Sequence, residues 1–116
     1  MSNCVCSCSC NQIKFNLPAL PKEIARCFCS ICKKFYNRDS SMFSKYDKSL
    51  LKSIDVDKII IKRSSSRAVR GFCSTCKTPI FMLYDNSNNI WIISDVFKFD
   101  FKYIEIYDIF KKIEHN

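Results

Sequence analysis

The chain has 116 residues, room for one domain with a modest core, and a formal charge of +8 from 19 Lys+Arg against 11 Asp+Glu. Its nine cysteines are odd in number, and the opening MSNCVCSC lacks the charged stretch and apolar run of an export leader, which argues against a secreted disulfide framework. No apolar run approaches the roughly 18 residues that cross a bilayer, so the expectation is a soluble protein of a reducing compartment, cytoplasmic or nuclear. A basic surface suits nucleic acid, an acidic protein or an anionic small molecule; a lysine-rich solvated face is the plainer reading.

In chain order, residues 1–7 read as a flexible Ser/Cys tract and residues 8–116 as a single domain. Gln12–Leu17 alternates polar and apolar as a half-buried strand does, and Pro18 and Pro21 end it. Glu23–Cys27 reads as a second strand. Phe43–Ile54 stays open: Leu50, Leu51 and Ile54 fit a helical turn and a half, whereas Phe43 and Tyr46 fit an extended segment. Asp57–Lys62 is β-branched and reads as a strand. Ile80–Tyr84 and Ile90–Ile93 flank the turn-forming Asp85–Asn89, the clearest hairpin in the chain. Residues 97–113 repeat aromatic and aliphatic positions partly at period two, consistent with a strand and then a short C-terminal helix. The fold expected from these pieces is mainly β.

The cysteines carry the chemistry. In C-x-C both side chains leave an extended segment on the same side, and in C-x-x-C a tight turn brings both sulfurs to one point. Cys8 and Cys10 with Cys73 and Cys76 therefore complete a closed four-cysteine site of the kind structural zinc occupies, clipping residue 10 to residue 73. Cys27, Cys29 and Cys32 place three sulfurs within six residues with no obvious fourth ligand nearby. Three ligands and an open corner are what a catalytic zinc uses, and a thiol arriving there would be held as thiolate, ready to attack an electrophilic carbon. The competing reading is a second closed site, its fourth corner filled by Cys4 or Cys6. His115, beside the C-terminus, reads as a solvated tail residue. Scattered cysteine pairs favour zinc over iron, with two ions per chain expected and one at minimum.

Three motifs taken together resemble a known family: C-x-C-x-x-I-x-F (Cys8–Phe15), C-x-C-x-x-C-K-K (Cys27–Lys34) and R-G-F-C-x-x-C-x-T-P-I (Arg70–Ile80). In order and spacing they look like the glutathione-dependent formaldehyde-activating enzyme and centromere protein V family, over about residues 8–95. The resemblance implies an Mss4-like β-tent of small antiparallel sheets stapled by zinc. It also implies structural ligands Cys8, Cys10, Cys73 and Cys76, and zinc-mediated catalysis at Cys27, Cys29 and Cys32. The family's reference reaction is a carbon–sulfur lyase reaction that joins glutathione to formaldehyde as S-hydroxymethylglutathione. The chain departs from the family pattern at Asn11 and Lys77, where glycine is usual, and at Phe28, where histidine is common. The family's longer tail, with a histidine and a tryptophan, is not visible after residue 100.

Two functions follow as expectations. In one, the protein handles a thiol adduct of a small aldehyde, with Arg67, Arg70 and Lys33 as candidates for a basic rim that would greet a glutathione-like thiol. In the other, it is a non-catalytic zinc module for an acidic partner or nucleic acid, supported by charge and by Lys34-Phe35-Tyr36 and Lys98-Phe99. Those aromatics alternate as core strand residues do.

Overall fold

The computed structural model describes residues 4–109. Its strands form two sheets. The smaller is an antiparallel ribbon of β1 (Val5–Ser7) and β2 (Lys14–Asn16), with Cys6 opposite Phe15. The larger has seven strands: β3 (Glu23–Cys27), β4 (Ser41–Asp47), β5 (Ile59–Arg63), β6 (Ala68–Cys73), β7 (Pro79–Tyr84), β8 (Asn89–Ile93) and β9 (Glu105–Ile109). They are ordered β5-β6-β7-β8-β4-β3-β9, antiparallel throughout except where β9 runs parallel to β3. A helix, α1 (Ser30–Tyr36), follows β3. The fold is mainly β as expected, but most of the expected small sheets are joined into one.

That sheet is covered on both faces, which explains why its central strands are nearly continuous apolar runs. Successive residues of a strand point to opposite faces. Phe81 and Ile92 feed a first core together with Ile13, Phe15 and Leu17 from the ribbon side, while Met82 and Ile93 feed a second core with Cys27, Cys32 and Phe43. Gly71, the chain's single glycine, lies on β6 where the register against β7 shifts, and a Cβ there would come within 2.6 Å of the Phe81 ring.

Several expectations change in detail. Residues 5–7 are not a flexible tract ahead of the domain: β1 pairs with β2, Leu17 N–H donates to the Cys4 carbonyl at 2.9 Å, and Lys98 N–H to that of Val5 at 2.9 Å. Cys4, Cys6 and Ser7 are buried; a thiol packs like a small apolar side chain, so a polar-looking tract concealed a core strand. The open segment resolves into both readings in turn, β4 up to Asp47 and then a 3-10 turn at Lys48–Ser53 capped by the Asp47 carboxylate, which accepts from Ser49 N–H at 2.8 Å. Residues 56–58 are likewise a 3-10 turn, so β5 begins at Ile59.

Phe97, Phe99 and Phe101 are not strand residues. They pack on one another with ring centroids 4.8 to 6.4 Å apart and cover the first core. The strand expected in this region is β9, and the expected C-terminal helix, like His115, lies outside the described residues. Helix α1 was not anticipated.

Candidate metal centres and the adjoining cavity

The first sulfur group forms where two turns meet. After β1 the chain doubles back, with Cys8 N–H donating to the Ile13 carbonyl at 3.0 Å and Asn11 N–H to that of Cys8 at 3.0 Å. Between β6 and β7 the same device recurs: Lys77 N–H reaches the Cys73 carbonyl at 2.9 Å. Asn11 (φ 64°) and Lys77 (φ 63°) both occupy the left-handed region, where glycine is the easiest residue and lysine carries a steric penalty. Thr78 ties the turns together, its Oγ1 accepting from Ser9 N–H at 3.1 Å.

The four Sγ atoms of Cys8, Cys10, Cys73 and Cys76 lie within 4.8 Å of one another. Two of the separations are 3.6 Å (Cys8 to Cys10) and 3.7 Å (Cys10 to Cys73). A tetrahedron with Zn–S bonds near 2.3 Å has its corners about 3.8 Å apart, so the donor set fits a zinc ion. Outer donors point at the sulfurs: Ile13 N–H to Cys8 Sγ at 3.3 Å and Gln12 Nε2 to Cys73 Sγ at 3.5 Å. Burial pushes the Cys76 thiol up, but the Thr78 hydroxyl and backbone, with Cys10, more than reverse this and bring it down to about 5.

The second group is local. Cys27 ends β3, Cys29 is the N-cap of α1 with its sulfur accepting from Cys32 N–H at 3.4 Å, and Cys32 lies in the first turn. Lys33 and Lys34 sit near the helix C-terminus, where their charge suits the dipole, and Asn37 closes the helix at φ 53°. Arg38 then clamps Asp95 with two bonds of 3.0 and 2.7 Å, fixing the helix against the turn after β8. The three Sγ atoms lie within 4.8 Å of one another, with Cys32 Sγ 3.4 Å from Cys27 Sγ. The thiols of Cys27 and Cys32, the Cys32 amide and the charge of Arg70 hold Cys29 down at about 2 despite its burial, while Cys27 is pushed up by its hydrogen bonds to Cys29 and Cys32 and by burial. These groups also fit a thiolate-bound ion, with three ligands among the described residues.

All three of these cysteines face a cavity of about 190 Å³, otherwise lined mainly by apolar side chains such as Phe43, Met82, Trp91 and Ile109. A larger open groove of about 520 Å³ continues along the sheet and shares Phe43 and Trp91 with the cavity; Lys22, Lys45 and Tyr107 border it. Arg70, foreseen as part of a basic rim, is instead buried in the cavity wall. Arg67 is exposed and Lys33 half-buried on α1.

Cys4 and Cys6 are not among the sulfurs gathered around Cys27, Cys29 and Cys32. Both belong to the first core, where burial pushes the Cys6 thiol up to about 12. Tyr36 packs between Phe43 and Phe72, and Phe99 against Phe97 and Phe101. Trp91, to which the sequence reading gave no role, lines the cavity because β8 pairs it with Met82. Alternation along β8 shows which residues share a face, but only the pairing shows what that face meets.

Two cysteine groups on a mainly β scaffold could each hold a metal ion through sulfur. A family model described as glutathione-dependent formaldehyde-activating enzyme matches residues 3–107, and the chain belongs to that family. The match takes in β1, in keeping with the place of that strand in the core. In structure the chain is similar to a crystal structure of a Rhodobacter sphaeroides protein, with a TM-score of 0.63, 12% identity, and 89% of this chain and 99% of that chain covered. No curated protein matches the sequence.

Proposed function

We propose that this zinc-binding family member is a carbon–sulfur lyase that makes and breaks the adduct of a thiol with a small aldehyde beside Cys27, Cys29 and Cys32. The observation that carries the reading is that these three sulfurs form part of the wall of a small, mostly apolar cavity, so the space beside them is open to a reactant. Cys8, Cys10, Cys73 and Cys76 would hold a structural zinc, and Cys27, Cys29 and Cys32 a second. When bound there, the second zinc would lower the pKa of a thiol placed against it.

The residues of the chain supply position and environment. Cys27 is fixed by β3, Cys29 and Cys32 by the first turn of α1. Phe43, Met82 and Trp91 keep the cavity poor in water, which strengthens electrostatic interactions inside it. In the forward direction the thiol sulfur bonds to the carbonyl carbon, the carbonyl π pair moves to oxygen, and oxygen takes up the proton the thiol gives up. The product is a hydroxyalkyl thioether, and the reverse path releases aldehyde and thiol. At about 190 Å³ the cavity is smaller than the roughly 300 Å³ at which drug-sized ligand sites begin. It suits a small aldehyde and the reacting end of the thiol; the body of a glutathione-like thiol would lie in the adjoining groove.

Free cysteines suit a reducing compartment, and the proposal puts the activity in the cytoplasm or nucleus. The rival reading, a non-catalytic module for nucleic acid or an acidic protein, keeps the support of the net charge of +8. Its aromatic support is weakened, since Tyr36 and Phe99 are packed and Phe35 lies against the Arg70 guanidinium. The test is adduct formation from glutathione and formaldehyde, followed by NMR with zinc-loaded protein. Acceleration that disappears in Cys29→Ser supports the reading, and a rate equal to the protein-free rate overturns it.

A further inference from the structure

Arg70 is the one charged side chain among the buried described residues, 3% exposed. Its Nη1 donates to Cys32 Sγ at 3.4 Å and to the Tyr36 hydroxyl at 3.1 Å. The guanidinium lies over the Phe35 and Tyr36 rings, 5.6 and 5.2 Å from their centroids, and Nε is buried without a hydrogen-bond partner. None of the ion pairs among the described residues gives it a carboxylate. Burial pushes the Tyr36 phenol up to about 12, so it stays neutral beside the arginine. A buried guanidinium without a counter-charge is strongly unfavourable, and the groups in reach that can carry negative charge are the sulfurs of the second centre.

The charges then balance in a specific way. Three thiolates, one divalent ion and one guanidinium sum to no net charge, whereas the three thiolates and the ion alone leave a buried negative charge. We infer that Arg70 is the charge-balancing and positioning residue of the second centre, allowing three cysteines to retain a divalent ion without a fourth thiolate. The planar fork serves this better than an ammonium would, because one nitrogen can hold Cys32 and Tyr36 together while the aromatic rings carry the plane. The first centre contains Cys10, an exposed residue, so solvent can screen its charge. The inference rests on the two-zinc reading above and concerns metal retention, not the reaction.

The test is zinc binding by the full chain in competition with a chromophoric chelator, comparing wild type, Arg70→Met and Arg70→Lys. The first centre serves as internal control. Arg70→Met is expected to weaken zinc at the second centre about 10- to 100-fold, to leave the first unchanged, and to be partly rescued in Arg70→Lys. Melting curves add a readout that packing would not reproduce. With two equivalents of zinc Arg70→Met should fall further behind wild type than with one, because the second ion stabilises the variant less. Should Arg70→Met not fold, Arg70→Gln, neutral but still a donor, takes its place under the same criteria.

Equal affinity at the second centre in wild type and the neutral variant overturns the inference. So does Arg70→Lys binding no better than the neutral variant. A wild type that takes up a single zinc removes the two-zinc reading itself, an outcome separate from either of these.

Discussion

The two cysteine centres are made from the same side chain and behave as opposites. In the first, Cys10 and Cys73 are 63 positions apart and their sulfurs sit 3.7 Å from each other, so a metal there joins the ribbon to the large sheet. In the second, Cys27 and Cys32 are five positions apart, on one strand end and the helix that follows it. A cross-link between distant segments removes much of the freedom of the unfolded chain, and a local one removes little. The first centre has four sulfurs, including one from exposed Cys10; the second has three, faces a cavity and has a buried arginine beside it. The difference is why the proposal gives the first centre the holding of the fold and the second the chemistry.

Breaking each centre in turn should expose this division. Cys73→Ser is the harshest change. Structural zinc sites in small peptides contribute about 10–16 kcal/mol, so losing a ligand should abolish the cooperative melt seen by circular dichroism. A melt within a few degrees of wild type would put the first centre on a level with the second. Cys29→Ser should lose one zinc by elemental analysis and all adduct formation while still melting cooperatively. Serine is itself a favoured N-cap, so the start of α1 should be kept.

Smaller changes sharpen the comparison along β6, which carries Arg70 to one centre and Cys73 to the other. Gly71→Ala forces a Cβ against the Phe81 ring at 2.6 Å, and Phe81 is fully buried. A loss of about 1–3 kcal/mol in denaturant unfolding is expected, as for overpacked cores, with both zinc ions retained. Lys77→Gly should gain up to about 1 kcal/mol by relieving the left-handed backbone at φ 63°. Asn11→Gly should be close to neutral, because it gives up the 2.6 Å bond that Asn11 Oδ1 accepts from Ser7. If Lys77→Gly brings no gain in thermal melting, the first centre's turn is not strained.

Much of this was legible beforehand, for reasons that differ by residue. Cysteine spacing is a statement about local geometry, so Cys8, Cys10, Cys73 and Cys76 and the trio at 27, 29 and 32 could be grouped without coordinates. Asn11 and Lys77 stood out because the resembled family usually has glycine there, and both have positive φ. Strand Glu23–Cys27 and the 80–93 hairpin followed from alternation and turn residues.

What was hidden depended on long-range pairing. Helix α1 has seven residues, S-I-C-K-K-F-Y, of middling propensity, and its cap is a cysteine sulfur rather than a hydroxyl or carboxylate. The parallel pairing of β9 with β3 joins segments some eighty residues apart, beyond any local pattern. Trp91 and Phe43 became cavity residues only once β8, β4 and β3 were laid side by side. Arg70 could be seen as a cation near the site, but not as one buried without a carboxylate.

The central claim is that Cys27, Cys29 and Cys32 hold zinc with one corner open to the cavity. A crystal structure of the zinc-loaded protein tests it most directly. The account predicts two ions per chain, the first bound by four cysteine sulfurs and the second by three, with a small non-protein ligand completing its sphere on the cavity side. A fourth ligand from the chain at the second ion, whether Cys4, Cys6 or a residue beyond 109, would contradict it.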